Sequence, residues 1–230
     1  MLTIGLIAAN VAVFLFQLQK PNDSSLHGQT AFQCEWGLVP DHLLHGGAGP
    51  VSPVGTTCQE LNAEHDRYAQ LFTSQFLHGS WLHLLGNMLF LWVFGNNVED
   101  RLGRIRFLPF YLLCGAIAGI SQALVAPSEH FPLIGASGAI AGVLGAYIVL
   151  YPHARVWALL FIIPVVVPAW LMLGVWFLYQ FLYAAGQSQE GGGVAYWAHV
   201  GGFIAGAVLI IPFLVGRQRP PPPVKREPVW

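Results

Sequence analysis

Ser137 and His199 are the two residues whose types and local sequences predict covalent chemistry. Ser137 lies in a Gly-Ala-Ser-Gly run and His199 in an Ala-His-Val-Gly-Gly run, each near the start of an apolar stretch. A serine hydroxyl becomes a nucleophile when a base takes its proton, and a neutral imidazole is the usual base near pH 7. The pair therefore predicts acyl transfer on Ser137, with His199 as the general base.

His83 and Asn87 add polar side chains to a third apolar stretch. They are four positions apart, so they share one face of a helix. Their N–H groups are donors of the kind that an oxyanion intermediate requires, and the backbone N–H of Ser137 at a helix start is a further donor. We therefore expect His83, Asn87 and Ser137 to form an oxyanion site.

The elements that must position these residues are membrane helices. Of the 230 residues only 9% are charged and 55% are hydrophobic, whereas a soluble domain carries about 25% charged residues. Six apolar stretches are each near the length that crosses a hydrocarbon core of about 30 Å, which predicts an all-α, polytopic six-helix bundle. Their approximate bounds are 2–18, 76–98, 107–125, 134–151, 156–185 and 194–215. Pro164 and Pro168 interrupt the fifth stretch, so we expect its helix to begin after Pro168, behind an irregular segment.

Basic residues set the expected orientation. Eight of the ten lie in loops after spans two, four and six, and only Lys20 and Arg67 lie elsewhere. By the positive-inside rule the side with eight is cytoplasmic, so both termini are expected there, in the plasma membrane. The membrane domain then covers residues 1–216 with a long outer loop at 19–75, and residues 217–230 form a Pro-rich cytoplasmic tail without a fold. The net charge of −1 excludes a basic nucleic-acid-binding surface.

This topology brings the polar residues to one depth. Spans two, four and six all run inward, and each carries its polar residues in its first turns. Taken alone, a serine in a span usually packs or bonds to the preceding turn, and a histidine is often structural. Their coincidence at one depth favours a common site, and no Asp or Glu within a span supplies a third catalytic carboxylate. Small residues that allow close helix approach flank the site: Gly135, Gly138 and Gly142 in span four, and Gly202 and Gly206 in span six.

The three cysteines match no zinc motif. Cys34 and Cys58 both lie in the outer loop, in a compartment that can be oxidising, and are candidates for a disulfide. Two independent thiols are the alternative. Cys114 lies in an apolar run and is expected to pack against neighbouring helices.

These motifs resemble the rhomboid family of intramembrane serine proteases. The resemblance covers roughly residues 1–216. It implies that Ser137 is the nucleophile, that His199 is the general base, and that the oxyanion donors are those named above. It also implies substrates that are other transmembrane proteins, cut near the outer end of a helix, and no metal or cofactor. The motifs are His78-x4-His83-x3-Asn87, Gly135-Ala136-Ser137-Gly138 and Ala198-His199-x2-Gly202-x3-Gly206.

Two positions depart from the family pattern. Many rhomboids carry Trp-Arg eight or nine residues before the first motif His, where this chain has Ala69-Gln70. We therefore expect the outer loop to be anchored differently. Some members place Tyr four residues after the nucleophile, beneath the His ring, where this chain has Ala141. The His199 ring must then be held by other contacts.

Two other functions fit a polytopic membrane protein. One is a catalytically inactive rhomboid-like protein that binds membrane clients; such relatives typically lack the Ser or the His, and this chain has both. The other is a small transporter or channel, which would place ionisable residues at the bilayer centre, where this chain is apolar. Zinc and aspartyl intramembrane proteases are disfavoured because neither His-Glu-x-x-His nor Gly-x-Gly-Asp occurs.

Overall fold

The computed structural model describes residues 1–20, 31–46, 61, 65–160, 163–186 and 194–216. These residues are mostly helical, with one antiparallel hairpin of strands β1 (Arg155–Leu160) and β2 (Ile163–Pro168). A 3-10 turn covers Ser74–Phe76, and a π-helical segment covers Leu91–Gly95. The α-helices of the described residues are α1 (Leu2–Gln17), α2 (Ala31–Trp36), α3 (Pro40–His45), α4 (Gln70–Thr73), α5 (Trp81–Phe90), α6 (Asn96–Leu102), α7 (Arg104–Val125), α8 (Ser137–Leu150), α9 (Ala169–Gly186) and α10 (Tyr196–Phe213).

Three of the described helices, α7, α9 and α10, are long and apolar enough to cross a membrane. Helices α1 and α8 are apolar but shorter, and the second predicted span is divided among α5, the π-helical segment and α6. The chain is therefore a helical, multi-pass membrane protein, whereas the predicted count of six spans is not established by the structure. At a rise of about 1.5 Å per residue, the 14 residues of α8 extend only about 21 Å.

Helix α5 begins later than the sequence patterns indicate. Phe76 ends the 3-10 turn, and Leu77 and Ser80 are extended. The hydroxyl of Ser80 accepts a hydrogen bond from the backbone N–H of His83 at 3.1 Å, which is the geometry of a helix N-cap. His78 consequently lies in the loop before the helix rather than inside it.

The segment before α9 is a β-hairpin, so the predicted irregular segment is wrong. Arg155 pairs with Pro168 and Leu160 with Ile163 along an antiparallel register. Three consecutive valines favour strand geometry, and the two prolines are tolerated because a two-stranded hairpin has only edge strands. The start of α9 at Ala169, directly after Pro168, agrees with the prediction.

Glycines bring α8 and α10 into backbone contact. A Cβ atom at Gly202 would overlap the carbonyl oxygen of Gly138, and one at Gly206 would overlap that of Gly142. On the other side of α8, a Cβ at Gly142 would overlap the side chain of Cys114 from α7. Cys114 is free and buried. Helix α8 therefore lies between α7 and α10 at distances that only small residues allow.

A buried carboxylate joins α1 to α6. Glu99 is 3% exposed, and it accepts the N–H of Leu2 and the N–H and hydroxyl of Thr3 at 2.6 to 2.7 Å. Unpaired N–H groups at a helix start favour such an anion. Burial by itself raises the pKa of Glu99, but the hydrogen bonds from Thr3 and Leu2 outweigh burial and hold the pKa below its ordinary value.

Candidate active site

Ser137 is the first residue of α8. The chain reaches it through Gly135, whose φ of +126° is a conformation that side-chain-bearing residues rarely adopt. The backbone N–H of Gly135 donates to the carbonyl of Ser74 at 2.9 Å, which fixes this approach. The backbone N–H groups in the first turn of α8 have no partner within the helix, so they are available to an oxyanion at Ser137.

His199 is the fourth residue of α10 and lies against Ser137. Its Nε2 atom is 2.9 Å from the Ser137 hydroxyl oxygen. Both side chains are half-buried. The close approach of α8 and α10 at their glycines sets this distance, because the two residues lie one turn or less from the glycine contacts. A serine hydroxyl and an imidazole at this distance can exchange a proton.

Gln180 on α9 makes a contact with His199 that the sequence analysis did not predict. The Nδ1 atom of His199 is 2.8 Å from the amide oxygen of Gln180. Trp176, one turn earlier on α9, places its ring centroid 6.0 Å from that of His199, with the ring planes tilted by 36°. These contacts hold the ring at and beside Nδ1, the nitrogen that does not contact Ser137. A polar residue on the otherwise apolar inner face of α9 is the sequence signal that points to Gln180.

His83 lies beside the approach to Ser137. A Cβ atom built at Gly135 would lie 2.8 Å from Nε2 of His83 and 3.7 Å from the amide nitrogen of Asn87. Both side chains therefore face the backbone two residues before Ser137. The structure brings together all four residues predicted for the site, from α5, α8 and α10.

His78 is in contact with Asn87. The amide nitrogen of Asn87 is 3.0 Å from Nε2 of His78, and His78 is fully buried. The backbone of His78 is itself held at both polar groups: its N–H donates to Gln17, and its carbonyl accepts from Gln17 and Gln33. An amide nitrogen carries two hydrogens, so one can bond His78 while the other points elsewhere. The sequence analysis quoted His78 as part of a motif without giving it a role.

A cavity of roughly 50 Å³ adjoins Ser137 on the side of the outer loop. Its lining includes Ser74, Gln75, Gly138 and Ala198. The Oε1 atom of Gln75 is buried and has no hydrogen-bond partner in the part of the chain that the structure describes. A space of this size with polar groups in its wall has room for water next to the serine.

Residue Gln70 anchors the outer loop where many rhomboids have arginine. Its amide nitrogen donates to the carbonyl of Glu35 at 3.0 Å, and the hydroxyl of Thr73 donates to the carbonyl of Trp36 at 2.8 Å. Arg67 lies outside this contact, with its guanidinium over the ring of Tyr68. The loop is thus tied to α2 by uncharged groups.

Of the predicted disulfide pair, Cys34 is disulfide-bonded and fully buried. Cys58, its predicted partner, lies outside the described residues, as does the Pro-rich tail at 217–230. Among the residues that the structure describes, no three His, Cys, Asp or Glu side chains are grouped as metal ligands would be.

Comparison of the sequence with known protein families identifies one family that matches it. The rhomboid domain model matches residues 65–216 of this chain. That match includes every residue of the candidate site and the helices that position it.

Several curated proteins are similar over part of their length. Rhomboid protein 1, mitochondrial, from Saccharomyces cerevisiae is 40% identical over 141 residues, which are 59% of this chain and 39% of the relative. RHOMBOID-like protein 5 from Arabidopsis thaliana is 29% identical over 190 residues, 79% of this chain and 54% of the relative. Rhomboid-like protein 11, chloroplastic, also from Arabidopsis thaliana, is 31% identical over 151 residues, which are 61% of this chain and 51% of the relative.

The chain thus spans 39% to 54% of the length of these three relatives. Two of their names place the relative in a mitochondrion or a chloroplast, which gives no support to the predicted plasma-membrane location. The match to the family model covers well over half of the chain and coincides with the helical core around Ser137. The chain belongs to the rhomboid family.

Proposed function

We propose that this chain is an intramembrane serine endopeptidase that hydrolyses transmembrane substrates through a dyad of Ser137 and His199. The observation that carries the proposal is the 2.9 Å separation of the Ser137 hydroxyl oxygen and Nε2 of His199. A nucleophile and a base at this distance can exchange the proton that acyl transfer requires. An inactive client-binding protein needs no such pair.

The reaction proceeds in two acyl-transfer steps. The Ser137 oxygen attacks the carbonyl carbon of the scissile peptide bond while His199 takes the hydroxyl proton. The carbon–nitrogen bond then breaks, His199 gives the proton to the leaving amine, and an ester on Ser137 remains. Water attacks that ester while His199 takes one of its protons and returns it to the Ser137 oxygen, which releases the carboxyl product.

Both steps pass through a tetrahedral intermediate with a negatively charged oxygen. The backbone N–H of Ser137 and the side chains of His83 and Asn87 stabilise this oxygen. Helix α8 begins at Ser137, so the positive end of its dipole also faces the developing charge. Each such donor contributes about 10²- to 10³-fold in rate.

The short α8 supports a reaction inside the bilayer. A helix of about 21 Å does not span a hydrocarbon core of about 30 Å, so Ser137 at its start lies below the membrane surface. We propose that the substrate is a transmembrane segment that enters laterally and unwinds locally near its outer end. Segments with Gly or Pro there are expected to be preferred, because these residues weaken a helix.

We further propose six spans with both termini on the side that holds most basic residues. Cysteine-accessibility labelling tests this orientation: Cys replacing Arg104 or Arg155 is expected to be protected from an impermeant reagent that labels Cys replacing Arg67. Labelling of all three from one side would refute the arrangement.

The test of the enzymatic function is labelling with a serine-directed fluorophosphonate in detergent, together with cleavage of a reconstituted transmembrane substrate. The native protein is expected to be labelled and to cleave. Ser137→Ala is expected to lose both activities, and His199→Ala to lose cleavage. Ser121→Ala is the matched control, because the hydroxyl of Ser121 donates to the carbonyl of Ile117 within its own helix α7 and does not contact Ser137 or His199 in the described residues. Cleavage by Ser137→Ala at the native rate would rule out the dyad, and a native protein that neither labels nor cleaves would favour a client-binding role.

A further inference from the structure

Gln180 is a buried polar residue on an apolar helix face. The buried residues of α9 are Ala169, Leu173, Gln180 and Ala184, which recur at spacings of one or two helical turns. Gln180 is 6% exposed. An amide inside a membrane protein is costly unless it is hydrogen-bonded, and the structure pairs the oxygen of Gln180 with Nδ1 of His199 at 2.8 Å.

This contact determines which ring nitrogen of His199 carries the hydrogen. An amide oxygen only accepts hydrogen bonds, so Nδ1 must donate to it. In a neutral imidazole the other nitrogen, Nε2, then has a free lone pair. Nε2 is the atom that lies 2.9 Å from the hydroxyl of Ser137. The base is therefore in the one tautomer that can take the serine proton.

We infer that Gln180 is a positioning residue that holds His199 in the catalytic tautomer and orientation. The inference deepens the proposed protease function and rests on it. Gln180 touches neither Ser137 nor the reacting atoms, and it acts only through the imidazole, as a hydrogen-bond partner of a functional histidine commonly does. It takes the part that a carboxylate has in a Ser-His-Asp triad, but with an uncharged acceptor that a bilayer tolerates.

The contact also ties the base to the packing of one helix. Of the three helices in the described residues that are long enough to cross a membrane, α9 has the smallest share of buried residues, 22% against 44% for α7 and 39% for α10. A shift of α9 away from α10 would remove the acceptor from Nδ1. His199 is thus oriented for catalysis when α9 is packed against α10.

The decisive variants are Gln180→Leu, which removes the acceptor at similar volume, and Gln180→Glu, which keeps an acceptor oxygen. Cleavage of a transmembrane substrate is measured for both, with kcat and KM separated. Gln180→Leu is expected to lower kcat about 10- to 100-fold with KM within about twofold, and Gln180→Glu to restore most of kcat. Leu182→Ala, at an exposed position of the same helix, is the control and is expected to keep native kcat.

Nitrogen NMR of histidine-labelled protein reads the tautomer without depending on turnover. The native His199 signal, assigned by its loss in His199→Ala, is expected to show hydrogen on Nδ1, and Gln180→Leu to show a mixture of tautomers. Native kcat in Gln180→Leu, an unchanged tautomer in that variant, or hydrogen on Nε2 in the native protein would each overturn the inference. A native protein that shows the expected tautomer and its dependence on Gln180, but neither cleaves nor labels, would refute the protease function while leaving the positioning role intact.

Discussion

Asn87 and His78 form a buried pair in which the amide nitrogen of Asn87 lies 3.0 Å from Nε2 of His78. The backbone of His78 is held in place: its N–H donates to Gln17, and its carbonyl accepts from Gln17 and Gln33. The pair therefore connects the end of α1 and the outer loop to a donor beside Ser137. The bond to His78 sets the direction of the amide group of Asn87, which lies on the second turn of α5.

The first prediction concerns this pair. Asn87→Ala is expected to lower kcat about 10²- to 10³-fold and to leave measurable turnover, because backbone donors remain. His78→Ala keeps the backbone bonds to Gln17 and is expected to lower kcat by a smaller factor, about tenfold, through a misdirected Asn87. The double variant is expected to be no slower than Asn87→Ala, since the two act as a unit.

Purified variants and single-turnover cleavage rates check this prediction, with His45→Ala as a control for histidine removal at an exposed position. If the double variant multiplies the two single losses, His78 acts independently of Asn87 and the proposed connection is wrong.

The second prediction concerns the contact of α8 with α10. A methyl group at Gly206 would overlap the carbonyl oxygen of Gly142, so Gly206→Ala must push the two helices apart. A displacement of about 1 Å between nucleophile and base lowers a rate by roughly 10²-fold. Gly206→Ala is expected to retain about 1% of native cleavage, and Gly202→Leu to be inactive, while both proteins still insert.

Gly174→Ala is the matched control for the second prediction. Gly174 lies within α9, and a Cβ there would meet no atom within 4 Å. The alanine is expected to keep native cleavage and to raise the stability of the helix by about 0.5 to 1 kcal/mol. Native cleavage in Gly206→Ala would place the critical helix contact elsewhere.

Residue types and spacing predicted the site more fully than the elements around it. His83, Asn87, Ser137 and His199 stood out because polar groups are rare in apolar stretches, and the structure brings them together. Gln180 was missed, because a polar residue on an otherwise apolar helix face marks a buried contact without showing which residue it contacts. The hairpin at 155–168 was missed because an apolar run of valines and leucines has no periodicity that separates a strand from a helix.

Contacts between segments that are distant in the chain could not be predicted from local sequence patterns. Glu99 directly follows the second predicted span, and nothing in its local sequence indicates that it caps α1. The start of α5 was placed too early because the second apolar stretch was taken to begin at Phe76, whereas the hydroxyl of Ser80 fixes the helix start after it. Local capping geometry here decides what hydropathy cannot.

The third prediction concerns the outer-loop cysteines. Cys34 is disulfide-bonded, and we predict that Cys58 is its partner. Alkylation of the denatured protein before and after reduction is expected to differ by two alkyl groups in the intact mass. Closing a loop of this size contributes about 3 kcal/mol to stability, so reduction is expected to lower the unfolding temperature. Equal masses with and without reductant would mean that no bridge forms.

The last prediction concerns the pH dependence of stability through Glu99. Its hydrogen bonds to Leu2 and Thr3 hold its pKa below the ordinary value of 4.5. A carboxylate with a lowered pKa in the folded state stabilises the fold fully above the unfolded-state pKa, and the stabilisation is lost as pH falls through the folded-state pKa. The native unfolding temperature in detergent is therefore expected to fall as pH is lowered below about 4.5.

Glu99→Gln tests this assignment. The variant is expected to unfold about 5 °C lower than the native protein at neutral pH, because hydrogen bonds to a charged group contribute more than neutral ones. Its unfolding temperature is expected to fall less than the native one when the pH is lowered. Asp100→Asn removes the adjacent, exposed carboxylate and is expected to behave as the native protein does. If lowering the pH reduced the unfolding temperature of Glu99→Gln as much as that of the native protein, another carboxylate would be responsible for the pH dependence.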